Sequence, residues 1–313
     1  LEALERSQLA GERSAKDDFT TAELKALIDD LKANGTVYLT VHGGETLLRD
    51  DIGEIVRHIK KRDMYVNLIT NGTLVKKRIS EIKDIDGACV SLDGRQEGND
   101  LVRGSGAFKA AMSAIDVFKD AGIPLRVHAT LTKYTGNDIK WLAGLAMEKG
   151  FHLEFSILFK STPDIKSLML DEAGTTAALT EIMELKKKGL PIFTSFNSLK
   201  LALNWPYGFE KTTVRTDELK NGLRPIPCCY SRHKFTIDAD GRAFPCFPLN
   251  KDFNALNVRA VGVKKAFEHV VKNNTCVLCP YLTQNDWNHM MTLGPSILLE
   301  QVRLQLKELF KHK

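Results

Sequence analysis

The chain has 313 residues, enough to bury a large core, and its hydrophobic content of 43% and charged content of 27% are ordinary for an enzyme-sized globular protein. A net charge of +5, spread along the chain, argues against nucleic-acid binding. No apolar run approaches the roughly 20 residues of a membrane-spanning helix, and six cysteines without a secretory signal predict a reducing, cytoplasmic compartment.

From Thr20 to about Ile192 the sequence alternates between helical and strand patterns. The first helix opens with a Thr20–Glu23 capping box and ends at Asn34-Gly35. Short apolar and β-branched runs predict strands at Val37–Val41, Tyr65–Thr70, Gly87–Leu92, Leu125–Leu131 and His152–Leu158. Further helices are predicted near 52–59, Leu74–Lys83, 108–118, Asp138–Lys149 and Thr175–Lys188.

Repeats of this length need parallel strands joined by right-handed crossovers, so the predicted fold class is α/β. About five recognisable strands favour a partial TIM-like barrel over a closed eight-stranded one. The barrel is predicted at 20–205, after an N-terminal segment at 1–19. The Pro- and Cys-rich remainder, 206–313, is predicted as a smaller module. Its closing amphipathic helix, "SILLEQVRLQLKELFKHK", is expected to pack on the barrel rather than on a membrane surface.

Small and polar residues follow each of the first four predicted strands. In chain order they are His42-Gly43-Gly44-Glu45, Thr70-Asn71-Gly72, Ser91-Leu92-Asp93-Gly94, and Thr130 with Thr132. Because parallel strands end at one rim, these loops are predicted to bind a ligand with an amino group, hydroxyls and a carboxylate. One such loop is no more than an ordinary turn. Three on successive strands favour a binding site.

Three motifs, "LTVHGGETLLRDD", "LITNGTL" and "VSLDGRQEGNDLVRGSGAF", resemble the radical S-adenosylmethionine (radical SAM) superfamily in their order and spacing. The resemblance covers most of Thr20 to Leu158 and implies a partial (β/α)6 barrel. It implies that Gly43, Gly44 and Glu45 hold the methionyl amino group of SAM. The other SAM-binding residues it implies are Ser91 and Asp93 (ribose or methionyl moiety), Arg103 (SAM carboxylate), Thr130 (ribose and adenine), and Asn71, to which no particular part of SAM is assigned.

Two departures from the superfamily pattern stand out. Thr46 replaces the proline that usually follows the glutamate, a tolerable change in a turn. The resemblance also demands a CxxxCxxC loop for a four-iron cluster, yet no cysteine occurs from Leu1 to Ala88. Either a segment with this loop and the opening strand is missing near Gly11–Glu12, or the protein is degenerate. We expect the first, because a degenerate member would still need its first strand for packing.

The later cysteines form a second set. Cys229 and Cys246 flank a predicted hairpin whose turn is Asp238–Gly241, and Cys276-x2-Cys279 adds a compact pair. Four thiolates suit either a 4Fe-4S cluster or a structural zinc ion. The pattern also resembles the auxiliary-cluster extension called SPASM, or its shorter form Twitch. That resemblance implies one auxiliary cluster held by Cys229, Cys246, Cys276 and Cys279, with Cys228 able to replace Cys229.

The resemblance therefore predicts an enzyme that cleaves SAM reductively to a 5′-deoxyadenosyl radical, which abstracts hydrogen from a small-molecule or peptide substrate. Its cofactors would be SAM, a SAM-binding 4Fe-4S cluster on cysteines absent from this sequence, and the auxiliary cluster. Flavodoxin or ferredoxin would donate electrons. The main alternative is a degenerate SAM- or partner-binding barrel with zinc. A phosphate-binding α/β enzyme is disfavoured, because no glycine loop has P-loop or dinucleotide-binding spacing.

Overall fold

The computed structural model describes residues 18–159, 163–220, 222–223, 228–249, 253–292 and 299. The predicted N-terminal segment, apart from its last two residues, lies outside this range. So does the predicted C-terminal helix, apart from Leu299.

The chain packs as two compact units, each described here by itself. The first unit comprises the described residues up to His128 together with 235–273, and the second comprises those of 129–234 and from 274 onward. The predicted division into 20–205 and 206–313 remains a prediction.

The strand–helix alternation of the sequence is present in the structure. The elements from Thr21 to Arg215 are α1 Thr21–Ala33, β1 Tyr38–Val41, α2 Ile52–Lys61, β2 Tyr65–Thr70, α3 Val75–Ile82, β3 Gly87–Ser91, α4 Gln96–Arg103, α5 Ala107–Asp120, β4 Leu125–Leu131, α6 Ile139–Lys149, β5 His152–Ile157, α7 Pro163–Lys166, α8 Glu172–Lys187, α9 Phe196–Leu203 and β6 Val214–Arg215. The elements that follow are β7 Thr236–Ile237, β8 Arg242–Phe244, β9 Leu256–Asn257, α10 Val258–Asn273, β10 Cys276–Leu278 and α11 Leu282–Met291.

Five strands form one sheet in the order β1-β2-β3-β4-β5, and the pairings β1–β2, β2–β3 and β3–β4 are parallel. Val66, Leu68, Val90 and Val127 are completely buried, as expected for parallel strands covered by helices. All five predicted strands exist, with ends that differ by at most one residue, and the predicted α/β class is confirmed. Beside β5, Ile192 adds a single parallel bridge to Leu153.

Local sequence signals explain where the first helix begins. The side-chain oxygen of Thr20 accepts a hydrogen bond from the backbone N–H of Glu23 at 3.3 Å, and Glu23 accepts one from the backbone N–H of Thr20 at 2.8 Å. The predicted capping box is therefore confirmed. Helix α4 was not predicted, because Gly98, Asn99 and Val102 are its buried residues and form no apolar stripe.

The predicted hairpin is confirmed as antiparallel β7 and β8, extended by β9. Its turn places Gly241 at φ +90°, where a Cβ atom would lie 2.6 Å from the side-chain oxygen of Asn257. The hairpin and α10 belong to the first unit because their apolar faces pack with the start of the chain. The buried residues of this cluster are Phe19, Ala243, Val258, Ala266 and Val270, with Leu24 and Leu27 of α1 against them.

Helix α10 is broken at Gly262, whose φ of 76° is not helical. The carboxylate of Asp30 on α1 accepts a hydrogen bond from the backbone N–H of Val263 at 2.9 Å, just after the break. Arg259 also contacts Glu23 of α1 at 3.0 Å. These polar contacts fix α10 on α1. No helix in the described ranges is both long and apolar enough to cross a membrane.

The turn after β2 gives a testable prediction. Gly72 has φ +88°, and a Cβ atom there would lie 2.9 Å from the backbone oxygen of Ala110 on α5. We expect Gly72→Ala to lower the free energy of unfolding by about 2 kcal/mol or more, measured by urea denaturation. In Gly43→Ala the new Cβ meets no atom within 4 Å, so this control should change stability by less than about 0.5 kcal/mol. Equal losses in the two variants would contradict the prediction.

Candidate functional site

Two exposed glycines follow β1, where the chain leaves the sheet. A Cβ atom built at Gly43 meets no other atom within 4 Å, so the space beside this backbone is open. His42 and Gly44 are exposed as well. A ligand at this end of β1 can therefore approach backbone N–H and C=O groups directly.

Glu45, next in the chain, is buried, with 7% of its surface exposed. One carboxylate oxygen accepts hydrogen bonds from the backbone N–H of Leu47 at 3.0 Å and the hydroxyl of Thr70 at 2.9 Å. The other accepts from the backbone N–H of Asn71 at 2.8 Å. The carboxylate thus joins the loop after β1 to the loop after β2. A carboxylate has about four acceptor positions, so a further donor, such as the predicted methionyl ammonium, can still be accommodated.

The turn after Glu45 is fixed on both sides. The Thr46 hydroxyl donates to the backbone oxygen of Ile69 on β2 at 3.0 Å. Arg49 binds Asp51 through two hydrogen bonds of 2.9 and 2.8 Å, and Thr21 of α1 donates to Asp51 at 2.6 Å. These contacts, with Arg49 as the larger cause, lower the pKa of the Asp51 carboxyl. The exposed glycines therefore adjoin a turn that is fixed to neighbouring elements.

The side chain of Asn71 forms hydrogen bonds within the loop after β2. Its side-chain oxygen accepts hydrogen bonds from the backbone N–H of Thr73 at 3.0 Å and from the Thr73 hydroxyl at 2.7 Å. This arrangement is an Asx turn, which leads the chain from β2 toward α3. Asn71 is half-buried and adjoins Glu45 through its backbone. The structure thus brings Glu45, Thr70 and Asn71 together.

The third loop contains a buried ion pair. Asp93 is 1% exposed, and Arg103 at the end of α4 donates two hydrogen bonds to its carboxylate, at 2.7 and 2.8 Å. The buried side chain of Asn99 accepts from the backbone N–H of Asp93 at 2.9 Å. Asp93 and Arg103 were predicted to make separate contacts with SAM, whereas in the structure they also bind each other. Their contacts with the cofactor remain predictions.

The remaining predicted SAM contacts lie on strands. Ser91 ends β3 half-buried, in register with His128 on β4. Thr130 is half-buried in the part of β4 that belongs to the second unit. Both roles remain predictions.

The predicted metal ligands are divided between the two units. Cys246 lies half-buried in the first, whereas Cys229 (3% exposed) and the half-buried Cys276 and Cys279 lie in the second. Within the described parts of the chain, no group of three or more His, Cys, Asp or Glu side chains is arranged to hold a metal ion. The four-cysteine set therefore remains a prediction. Cys89 is buried inside β3, as expected for a small apolar residue.

Burial raises the pKa values of two thiols in the second unit. It raises the pKa of Cys229 to about 12 and that of Cys276 to about 11. The neighbouring Cys228 raises both pKa values further, so its thiol lies within electrostatic range of Cys276. The choice between Cys228 and Cys229 as a ligand remains open.

Three asparagines that the sequence analysis did not assign hold the cysteine segments. Asn288 accepts from the backbone N–H of Cys229 at 2.8 Å, and Asn285 donates to the backbone oxygen of Cys279 at 2.8 Å. Asn274 accepts from the backbone N–H of Cys276 at 3.2 Å. Asn285 and Asn288 are buried and three residues apart on α11. This spacing, immediately after the Cys276–Cys279 pair, was the available signal.

Asp286, between those asparagines, caps another helix. Its carboxylate accepts hydrogen bonds from the backbone N–H of Ser195 at 3.0 Å and the hydroxyl of Ser198 at 2.6 Å, at the start of α9. Burial raises its pKa to about 6, and the buried Glu154 of β5 acts in the same direction. Helix α11 therefore joins the cysteine segments to α9 within the second unit.

The parallel sheet with ligand-accessible loops after its strands defines an α/β barrel-type domain. The family model described as the radical SAM superfamily matches residues 7–146. This part of the chain is therefore similar to the radical SAM superfamily.

Curated relatives extend this similarity. The chain is 33% identical to the Fe-coproporphyrin III synthase of Methanosarcina barkeri over 43% of this chain and 35% of the relative. It is 34% identical to the AdoMet-dependent heme synthase of the same organism over 45% of this chain and 42% of the relative. It is 27% identical to the mycofactocin maturase MftC of Mycobacterium ulcerans over 82% and 67%, respectively. The aligned part thus spans less than half the length of the first two relatives.

Solved structures confirm the fold. The anSMEcpe structure with bound AdoMet superposes with a TM-score of 0.62 at 16% identity, covering 92% of this chain and 88% of that one. Streptococcus suis SuiB bound to S-adenosylmethionine gives a TM-score of 0.57 at 14% identity, covering 83% and 61%. At these identities the similarity concerns the fold, and the predicted partial TIM-like barrel class is confirmed.

The buried ion pair gives a second prediction. Arg103→Ala leaves the Asp93 carboxylate buried without this partner and should lower the free energy of unfolding by about 3 kcal/mol or more. Adding Asp93→Asn removes the uncompensated charge, so the double variant should be more stable than Arg103→Ala alone. Both effects are measured by urea denaturation of the wild type, the single variants Arg103→Ala and Asp93→Asn, and the double variant. Simple additivity of the two single losses would contradict the coupling.

Proposed function

We propose that the chain is the barrel of a radical SAM enzyme and that SAM binds at the loops after β1, β2 and β3. The observation that carries the proposal is the open space at Gly43, beside the exposed Gly44 and the anchored Glu45, within the residues that match the radical SAM superfamily model. This loop offers a ligand free backbone groups on a fixed support.

The chain's own residues fit SAM. The methionyl ammonium would bind at Gly43, Gly44 and Glu45, since a buried carboxylate with spare acceptor capacity favours a cation. Ser91, Asn71 and Thr130 would contact the ribose, adenine or methionyl groups. Arg103 would bind the SAM carboxylate. SAM, when bound and reductively cleaved, supplies a 5′-deoxyadenosyl radical for hydrogen abstraction.

The chain's own residues do not fit the first 4Fe-4S cluster. Residues 1–88 contain no cysteine, and Cys89, the first in the chain, is buried in β3. We infer that the ligands of this cluster lie outside the 313 residues. The alternative is a SAM-binding or partner-binding barrel without radical chemistry.

We propose the cysteines of the C-terminal half as ligands of one auxiliary 4Fe-4S cluster, in a SPASM- or Twitch-like module. Asparagine side chains hold the segments of Cys229, Cys276 and Cys279, which supports a built rather than incidental arrangement. Four thiolates would leave no open iron site, so the cluster would relay electrons or stabilise the module. Flavodoxin or ferredoxin is the electron donor we propose.

We propose a peptide as the substrate. The similarity to mycofactocin maturase MftC extends over 82% of this chain, much further than the similarity to either Methanosarcina enzyme. SuiB, which shares the fold, has been solved with its precursor peptide SuiA. A tetrapyrrole is the second candidate, because the two Methanosarcina enzymes have the higher identity.

The SAM site is tested by filling the open space at Gly43. Isothermal titration should show SAM binding to the wild type and about tenfold weaker binding to Gly43→Ala, with no loss of stability. Gly144→Ala is a matched control, because a Cβ atom there also meets nothing within 4 Å. Gly144 lies on α6 rather than in the proposed SAM-binding loops, so this variant should bind SAM like the wild type. The proposed site is wrong if the wild type does not bind SAM, or if Gly43→Ala binds SAM with the same affinity as the wild type.

The metal site is tested by anaerobic reconstitution with iron and sulfide. We expect a brown protein whose iron content falls by about four ions per chain in Cys276→Ala/Cys279→Ala. The control Cys89→Ala removes a thiol buried in β3 and should leave the iron content unchanged. A colourless protein with one equivalent of zinc would support the non-catalytic alternative.

A further inference from the structure

We propose that Arg78 on α3 is a positioning residue for SAM: it holds the turn after Glu45 in the shape that presents Gly43 and Gly44 to the ligand. The inference rests on the proposed function of this loop. Arg78 is only 8% exposed, and no motif of the sequence analysis includes it.

The guanidinium of Arg78 binds the end of the turn. One terminal nitrogen donates to the backbone oxygen of Leu47 at 3.1 Å, and the other donates to the backbone oxygen of Asp50 at 2.9 Å. Glu81, one turn further along α3, accepts hydrogen bonds of 2.9 and 2.7 Å from the same guanidinium. The Glu81 carboxylate thus orients the planar fork toward the two carbonyl groups.

The same turn is held at its start by Glu45. Thr46–Leu48 form a single turn of 3-10 helix, and the Glu45 carboxylate accepts from the backbone N–H of Leu47. Arg78 therefore donates hydrogen bonds to carbonyl groups at the end of this short element, and Glu45 accepts a hydrogen bond from an amide group near its start. Both side chains are buried, whereas Gly43 and Gly44 are exposed.

Two glycines in series have more backbone freedom than any other pair of residues. A binding backbone built from Gly43 and Gly44 therefore needs fixed ends, which are β1 on one side and the turn after Glu45 on the other. Without Arg78, the carbonyl groups of Leu47 and Asp50 lose their buried donor, and the turn can adopt other conformations. SAM would then have to order the loop on binding, which weakens its affinity.

The experiment compares SAM binding in Arg78→Gln and Arg78→Lys with the wild type by isothermal titration. We expect affinity to fall about tenfold in Arg78→Gln. A smaller loss is expected in Arg78→Lys, because one ammonium group can replace only part of the planar fork. Hydrogen exchange without SAM should show faster exchange of the Leu47 and Leu48 amides in both variants, while thermal unfolding verifies that each is folded.

Arg62→Gln is the matched control. Arg62, at the end of α2, also binds a carboxylate through two hydrogen bonds, to Asp29 at 2.6 and 3.0 Å, but it contacts no residue of the loop. Its SAM affinity should equal that of the wild type. If the wild type binds SAM and Arg78→Gln and Arg78→Lys bind it equally well, this inference is wrong while the proposed function stands. If the wild type binds no SAM, both fail.

Discussion

The buried carboxylate of Glu45 is the interaction on which the candidate site depends. A charge removed from water is tolerated only where hydrogen bonds replace its hydration, and here Leu47, Thr70 and Asn71 provide them. Two of these donors come from the end of β2. The carboxylate therefore ties the ends of two neighbouring strands into one rigid rim, and the glycines before it are free to serve a ligand.

This division of labour separates anchoring from binding. The groups that hold the rim, Glu45 and Arg78, are nearly buried and bound to protein groups, whereas Gly43 and Gly44 are exposed. Glu45 keeps spare acceptor capacity, so its protein contacts need not break when a ligand binds. Because the anchors lie behind the loop, little reorganisation is needed when a ligand arrives, which is the condition for tight binding by a short segment.

Sequence reasoning succeeded where the signal was local. The five strands and the hairpin at Asp238–Gly241 follow from β-branched runs and turn residues, so their ends could be placed within one residue. Long-range pairing could not be predicted from the sequence. Arg103 matched a motif for binding a ligand carboxylate, yet its bond to Asp93 depends on how α4 lies against the end of β3. Likewise, Arg78 belongs to no recognised motif, and only the packing of α3 shows its two backbone partners.

The same limit explains the division of the chain. The strand–helix alternation of the sequence ends near Pro206. This change of pattern does not show which apolar face the following elements cover. The hairpin and α10 pack on Phe19 and the apolar side of α1, so they join the first unit although they are distant in sequence. The hydrogen bond from the backbone N–H of Val263 to the carboxylate of Asp30 then holds the broken helix α10 against α1. Contacts of this kind become visible only when both partners are placed in space.

The asparagines of α11 bear on the order in which the cysteine segments and a metal assemble. In small metal-stapled modules the ligand loops have no other support, and metal binding and folding are one event. Here Asn288 and Asn285 already hold the backbone of Cys229 and of Cys279, and Asp286 fixes α11 to the start of α9. These bonds involve backbone and amide groups rather than the thiols. The bonds therefore position the cysteine segments through their backbone groups.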